Sequence, residues 1–103
     1  MTKNDRFTGF LGIAAKAGAV VSGEFSVEQA VKKGKAYLVI VAGDASDNTK
    51  KHFSDMCVYR NIPILFLYTR EVLGRNIGKK ERASVGILEK GIADKLLSIV
   101  QEG

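Results

Sequence analysis

Gly23-Glu24-Phe25-Ser26-Val27-Glu28-Gln29-Ala30-Val31-Lys32-Lys33-Gly34 leads directly into Tyr37-Leu38-Val39-Ile40-Val41-Ala42, and then into Gly43-Asp44-Ala45-Ser46. The first stretch has a helical period. At about 100° per residue, Val27, Ala30 and Val31 gather on one side, while Phe25, Ser26, Gln29, Lys32 and Lys33 gather on the other. The second stretch is a short, nearly unbroken apolar run, the pattern of a strand covered on both faces. A helix with one apolar face beside a doubly covered strand predicts helices layered on a sheet.

The flanking sequence continues the alternation. Phe7, Phe10, Leu11 and Ala14 recur at helical spacing, so a first helix is expected to end near Gly18 as a left-handed cap. Gly9, Gly12 and Ala15 form a small-residue line on it. Glycine inside a helix costs ~1 kcal/mol against alanine, so close approach of another element is expected there. Gly9-x-x-Gly12 lies inside this apolar helix and is not a nucleotide-clamping loop.

Ala19-Val20-Val21 reads as a short strand, and Ser22 or Gly23 opens the second helix. A third helix begins at Asp47-Asn48-Thr49, any of which can cap it, and buries Phe53, Met56 and Cys57. Ile62 to Tyr68 is a strand in which Pro63 cannot donate a ladder hydrogen bond, placing it early or at an edge. Thr69 caps a short helix through Leu73-Gly74-Arg75-Asn76-Ile77-Gly78. After the loop Lys79–Ala83 come a last strand, Ser84 to Leu88, and a helix marked by Ile92, Leu96, Ile99 and Val100. The expected fold is a single α/β domain over residues 1–103, a three-layer α/β/α sandwich with a mixed, mostly four-stranded sheet.

Composition narrows the function. The 103 residues carry a net charge of +5, with pI near 9.5 and 46% hydrophobic residues. That is a folded domain whose charge suits a polyanion, since counterions released from phosphates drive association. One cysteine closes no disulfide and builds no cysteine zinc site, and Cys57 is read as core packing. No apolar run approaches the ~20 residues that cross a bilayer, and the N-terminus lacks a signal-peptide core, so a cytoplasmic protein without a membrane partner is expected. His52, the sole histidine, is read as solvated. Asp44 is read as bonding its loop or capping the following helix. Neither has a base, nucleophile or metal partner in the pattern, so no enzyme, cofactor or metal is expected.

Two cationic features remain. The first turn of the second helix leaves backbone N–H groups open under a favourable dipole, and Gly23 lets a phosphate come close. Between Arg70 and Arg82 lie Arg70, Arg75, Lys79, Lys80 and Arg82 against Glu71 and Glu81, in a stretch that includes a loop able to shape itself around a ligand.

The order Gly23…Ala30-Val31…Gly34-x-Ala36-x-Leu38-Val39-Ile40-x-Ala42-x-Asp44-Ala45, then Ile62-Pro63, then Leu73-Gly74-x-x-x-Gly78 resembles the ribosomal protein family of the L-seven-Ae and L-thirty-e type. Asp44-Ala45-Ser46-x-Asn48-Thr49-Lys50-Lys51 and Gly34-Lys35-Ala36 make it most similar to the short bacterial YlxQ-like branch. The resemblance implies an α/β/α sandwich that grips kinked RNA, a kink-turn or kink-loop. The second helix would read tandem sheared G·A pairs, and the loop before the last strand would pack on a flipped-out nucleotide. It also implies company with the ribosome or with transcription and translation factors.

The family's RNA-reading segment is Asn-Glu-Val-Thr-Lys, and Phe25-Ser26-Val27-Glu28-Gln29 stand at those positions. Relaxed or altered specificity is expected, because losing a well-placed base contact removes ~1–3 kcal/mol of discrimination. The expected RNA-binding surface is Gly23, Glu24, Phe25, Ser26, Gln29, Lys32 and Lys33 with Lys79, Lys80, Arg82, Ala83 and Ser84. In it, Lys32, Lys33, Lys79, Lys80 and Arg82 hold phosphates, Ser26 and Gln29 face base edges, and Phe25 and Ala83-Ser84-Val85 meet an unstacked nucleotide. The chain is expected to act as a monomer. The alternative is a protein–protein module on the same fold, with Phe25 as its anchor.

Overall fold

A computed structural model describes residues 2–102. The elements run α1 (Lys3–Lys16), β1 (Val20–Ser22), α2 (Glu24–Lys32), β2 (Leu38–Val41), α3 (Asp47–Arg60), β3 (Ile64–Phe66), α4 (Arg70–Asn76), β4 (Ser84–Ile87) and α5 (Lys90–Gln101). The four strands form one sheet in the order β1-β4-β2-β3. Only β2 and β3 run parallel; β4 lies antiparallel to both β1 and β2. The sheet is therefore mixed, and the expected α/β/α sandwich is the observed fold.

Helix α2 packs on β1 and β4, and α3 on β2 and β3, so these two helices share one face. Helices α1, α4 and α5 cover the other. The central strands β2 and β4 are buried at every position. Pro63 precedes the edge strand β3, where its missing N–H costs nothing, and its carbonyl accepts from the Val39 N–H at 3.0 Å. Gly18 and Gly34 have φ of 77° and 71°, ending α1 and α2 in the left-handed manner their spacing suggested. Cys57 is buried, and burial pushes its thiol up to about 11.

Some expectations need correction. The cap of α3 is Ser46, one residue ahead of the three candidates, with its Oγ accepting from the Thr49 N–H at 3.1 Å. Phe10, Met56 and Val100 are only partly buried at the margin of the core. The close approach expected along α1 occurs at Gly12 alone: a Cβ there would lie 3.1 Å from the Asn76 carbonyl, whereas Gly9 has nothing within 4 Å.

The topology brings helix N-termini to one end of the sheet. Helices α2, α3 and α4 each begin where the preceding strand stops, and the ends of β1 and β2 both meet the start of β4 through Ser22↔Val85 and Val41↔Ser84. Burial fixes how α2 is rotated there. Val27 and Val31 are fully buried, and each such side chain stabilises by ~1.5–3 kcal/mol. Their outward neighbours cannot turn inward without losing that.

The glycine of the Leu73-Gly74 pair has a packing role. A Cβ on Gly74 would sit 1.3 Å from the Lys80 carbonyl oxygen, so loop 79–82 can lie on α4 only because position 74 has no side chain. Backbone bonds Lys79 N–H to Gly74 O, at 2.8 Å, and Arg82 N–H to Arg70 O, at 3.0 Å, hold it there. Gly74→Ala is expected to destabilise by about 2 kcal/mol or more, through overpacking of a site that backbone cannot vacate. That corresponds to a thermal midpoint lowered by roughly 8 °C or more. Gly9→Ala, into open space, should instead stabilise by about 0.5–1 kcal/mol. Thermal melts of the two variants check both signs.

Candidate nucleic-acid interface

Helices α1, α3 and α4 have their first turns closed by a hydroxyl, from Thr2, Ser46 and Thr69 respectively. Helix α2 differs. Its N-cap is Gly23 at φ 91°, with no side-chain bond to the first turn. The N–H groups of that turn are open, and the absent Cβ leaves room in front of them. The Gly23 N–H itself donates to the Ser84 carbonyl at 3.0 Å, pinning the helix tip to the first residue of β4.

Beyond the tip, the outward face of α2 forms one wall of a shallow groove of about 400 Å³ at the β1 edge. Val21, Ala30 and Leu88 supply apolar lining, and Phe25, Ser26, Gln29, Lys33 and Lys35 supply the rest. Phe25 is 75% exposed, so the ring is presented to solvent. Glu24 and Ser26 are exposed and Gln29 is half-buried. Lys32 departs from this group. Its Nζ lies 2.8 Å from Glu28 Oε1, on the flank where His52 of α3 places Nε2 3.4 Å from Glu28 Oε2. Lys32 is exposed, yet it faces α3 and carries its own counter-ion. His52, read as simply solvated, also has a partner.

The loop before β4 divides into two kinds of residue. Lys79 and Lys80 are exposed, and among the described residues neither is in an ion pair. Arg82 is half-buried, with its head turned inward: Nε donates to Ser22 Oγ at 3.1 Å and Nη1 to the Glu81 carbonyl at 2.8 Å. Ala83 is half-buried. Ser84 is 1% exposed and Val85 fully buried. Both belong to β4, so the expectation that their side chains meet a nucleotide is corrected, and only Ala83 of that trio reaches the surface.

The two cationic segments thus meet at one end of the sheet. Backbone joins them through Gly23 and Ser84, and side chains through Ser22 and Arg82. Asp44 closes the neighbouring loop. Its Oδ1 accepts from the Arg70 N–H at 2.8 Å, so it caps α4, and its other oxygen lies 3.7 Å from Arg70 Nε. The sequence reading is that Asp44 bonds its own loop or caps the helix that follows it, whereas the N–H it caps lies twenty-six residues on. Ser22 and Lys35 were also missed; a hydroxyl ahead of a glycine N-cap gives no local signal of a partner at position 82. A cavity of about 630 Å³ lies at the other end of the sheet, beside Tyr37, Tyr59 and Lys90. Chemically, the α2 end offers N–H donors, lysines, an amide and an aromatic ring: groups that hold phosphates and bases.

Two acidic side chains link the fold to pH. Bonding to Lys32 holds the Glu28 carboxyl below its ordinary value of 4.5, with His52 adding to the shift and partial desolvation opposing it. Glu102 is lowered likewise, first by its bond to Arg6. A carboxylate lowered by folding contributes stability that is fully present above its unfolded value and is lost as pH falls through the folded one. Urea midpoints should therefore be level above 4.5 and decline below it, and the double variant Glu28→Gln, Glu102→Gln should show a shallower decline. Because these pairs are exposed, the effect is expected to be small.

Comparison with known proteins identifies the family. The sequence model of the "Ribosomal protein L7Ae/L30e/S12e/Gadd45 family" matches residues 5–97. The RNA-binding protein YlxQ of Bacillus subtilis (strain 168) is 42% identical over 90 residues, covering 87% of this chain and 90% of its own length. A protein of unknown function from Bacillus halodurans C has a solved structure that superposes with a TM-score of 0.90. It is 38% identical and covers 93% of this chain and 97% of its own. The Giardia lamblia 15.5kD RNA binding protein superposes at 0.80 with 24% identity, over 95% and 84% of the two chains, and supports the fold alone. With a family match over nearly its whole length, and a YlxQ relative at 42% identity, the chain belongs to the L7Ae/L30e/S12e/Gadd45 ribosomal protein family, on its YlxQ-like branch.

Proposed function

We propose that the protein is a non-catalytic, cytoplasmic RNA-binding protein that grips a kinked RNA at the α2 end of its sheet and works in association with the ribosome. The observation that carries this reading is the open first turn of α2, pinned by the Gly23–Ser84 bond next to a lysine-bearing loop. Phosphates lie against the first-turn N–H groups and on Lys33, Lys79 and Lys80, whereas Lys32 is held by Glu28 on the α3 side. Ser26 and Gln29 meet base edges, and Phe25 stacks on an unpaired base. The name of the YlxQ relative, an RNA-binding protein, lends support.

Gln29 offers an amide where the family's segment ends in lysine, so the base-edge contact is uncharged. Charge-assisted hydrogen bonds are roughly twice as strong as neutral ones. Discrimination between a kinked and a straight RNA is accordingly weaker here than in a relative with the full segment. The exposure of Phe25 also suits the second reading, an anchor in a protein–protein module.

Filter binding to a kink-turn RNA across a salt series tests the proposal. Three lysine–phosphate contacts predict a log–log slope of about −2.7 and a loss of affinity of roughly 40-fold between about 50 and 200 mM salt. Phe25→Ala should weaken binding roughly 5- to 150-fold, the range for a stacked base. A flat salt response contradicts the proposal. Loss in Phe25→Ala of a protein partner that survives nuclease treatment favours the second reading.

A further inference from the structure

We propose that Arg82 and Ser22 form a strap across the end of the sheet, and that Arg82 positions the basic loop against α2 instead of binding phosphate itself. The inference rests on the RNA-binding reading above and gives Arg82, expected from the sequence to hold a phosphate, different work.

Helix α2 lies on one face of the sheet and α4 on the other. Lys79 and Lys80 belong to the α4 side, because loop 79–82 is seated on Gly74 and bonded to the backbone of Gly74 and Arg70. The two halves of the proposed surface therefore ride on opposite layers, and their relative placement depends on bonds at the sheet end. Two backbone bonds act there, Gly23 N–H to Ser84 O and Ala42 N–H to Ala83 O. Both attach at residues 83 and 84, after the lysines. Upstream of Ala83, the Arg82 side chain to Ser22 Oγ is the hydrogen bond that ties the loop to the segment entering α2.

The chemistry of the guanidinium supports that assignment. Its donors form a rigid planar fork, so fixing Nε and Nη1 fixes the whole head. Nε is committed to Ser22 and Nη1 to the Glu81 carbonyl, and the residue is half-buried. A lysine at position 82 has no such fork, so its rotatable ammonium does not hold the two bonds in one fixed plane. Ser22 stands immediately before the N-cap, so a pull on its hydroxyl bears on the helix tip.

Two measurements test the strap, using the full chain. In the first, amide exchange is followed in the free protein. Ser22→Ala and Arg82→Ala should both speed exchange at Gly23 and at residues 79–83, whereas Ser22→Thr, which keeps the hydroxyl, should match the unmodified protein. Unchanged exchange in Ser22→Ala overturns the strap, whatever the protein binds. In the second, a kink-turn RNA is titrated over a salt series. Ser22→Ala and Arg82→Ala should each weaken binding roughly 2- to 12-fold, the range for one lost hydrogen bond, with an unchanged salt slope. The double variant should bind no worse than Arg82→Ala. Arg82→Lys should bind as weakly as Arg82→Ala, and it stands in if the alanine variant does not fold. If Arg82→Ala flattens the slope by ~0.9, or Arg82→Lys restores binding, Arg82 is a phosphate ligand and the inference fails. A flat slope in the unmodified protein contradicts the RNA-binding reading and leaves the exchange result to decide the strap.

Discussion

The hydrogen bond from the Gly23 N–H to the Ser84 carbonyl, 3.0 Å long, ties the parts of this molecule that matter most. It joins residues sixty-one apart in sequence, extends the antiparallel β1–β4 ladder by one step, and sets where α2 starts. Gly23 makes it possible by adopting a φ of 91°, which sends the chain off the sheet edge and over the opposite layer. Because glycine has no side chain to fold back, the first turn of α2 stays uncapped while Thr2, Ser46 and Thr69 close the first turns of α1, α3 and α4. One backbone conformation thus decides register, helix direction and the electrostatics of the tip.

A second constraint acts on the other side of the sheet. Loop 79–82 carries the exposed Lys79 and Lys80, and it is shaped by what Gly74 lacks. The left-handed Gly78, φ 75°, turns the chain back so that loop and helix lie against each other. The glycines of Leu73-Gly74-x-x-x-Gly78 therefore divide the labour, one giving space and one giving direction. A motif that looks like a helix ending is also the seat of a cationic loop.

Much of this was legible in the chain itself. Period alone separated Val27, Ala30 and Val31 from the outward face of α2, because a half-buried helix must place its apolar residues a turn apart. The run Tyr37 to Ala42 announced a strand with both faces covered. What escaped was everything that depends on residues distant in sequence. Nothing local reveals that Arg82 turns to Ser22, that Asp44 caps α4, or that His52 of α3 joins Glu28 beside Lys32. Ser84 reads from the sequence as the start of the last strand yet was expected to meet a nucleotide, and its burial follows only from β2 and β1 closing on either side. Charged and polar side chains choose among several partners by tertiary placement, which periodicity does not encode.

The central claim is that the α2 tip and the basic loop act as one RNA surface. Chemical-shift mapping with a kink-turn RNA tests it most directly. The account predicts that the amides of Gly23 to Gln29 and of Lys79 to Ala83 shift together, with one common dissociation constant. Shifts confined to the opposite end, around Tyr37, Tyr59 and Lys90, or different constants for the two segments, would contradict it.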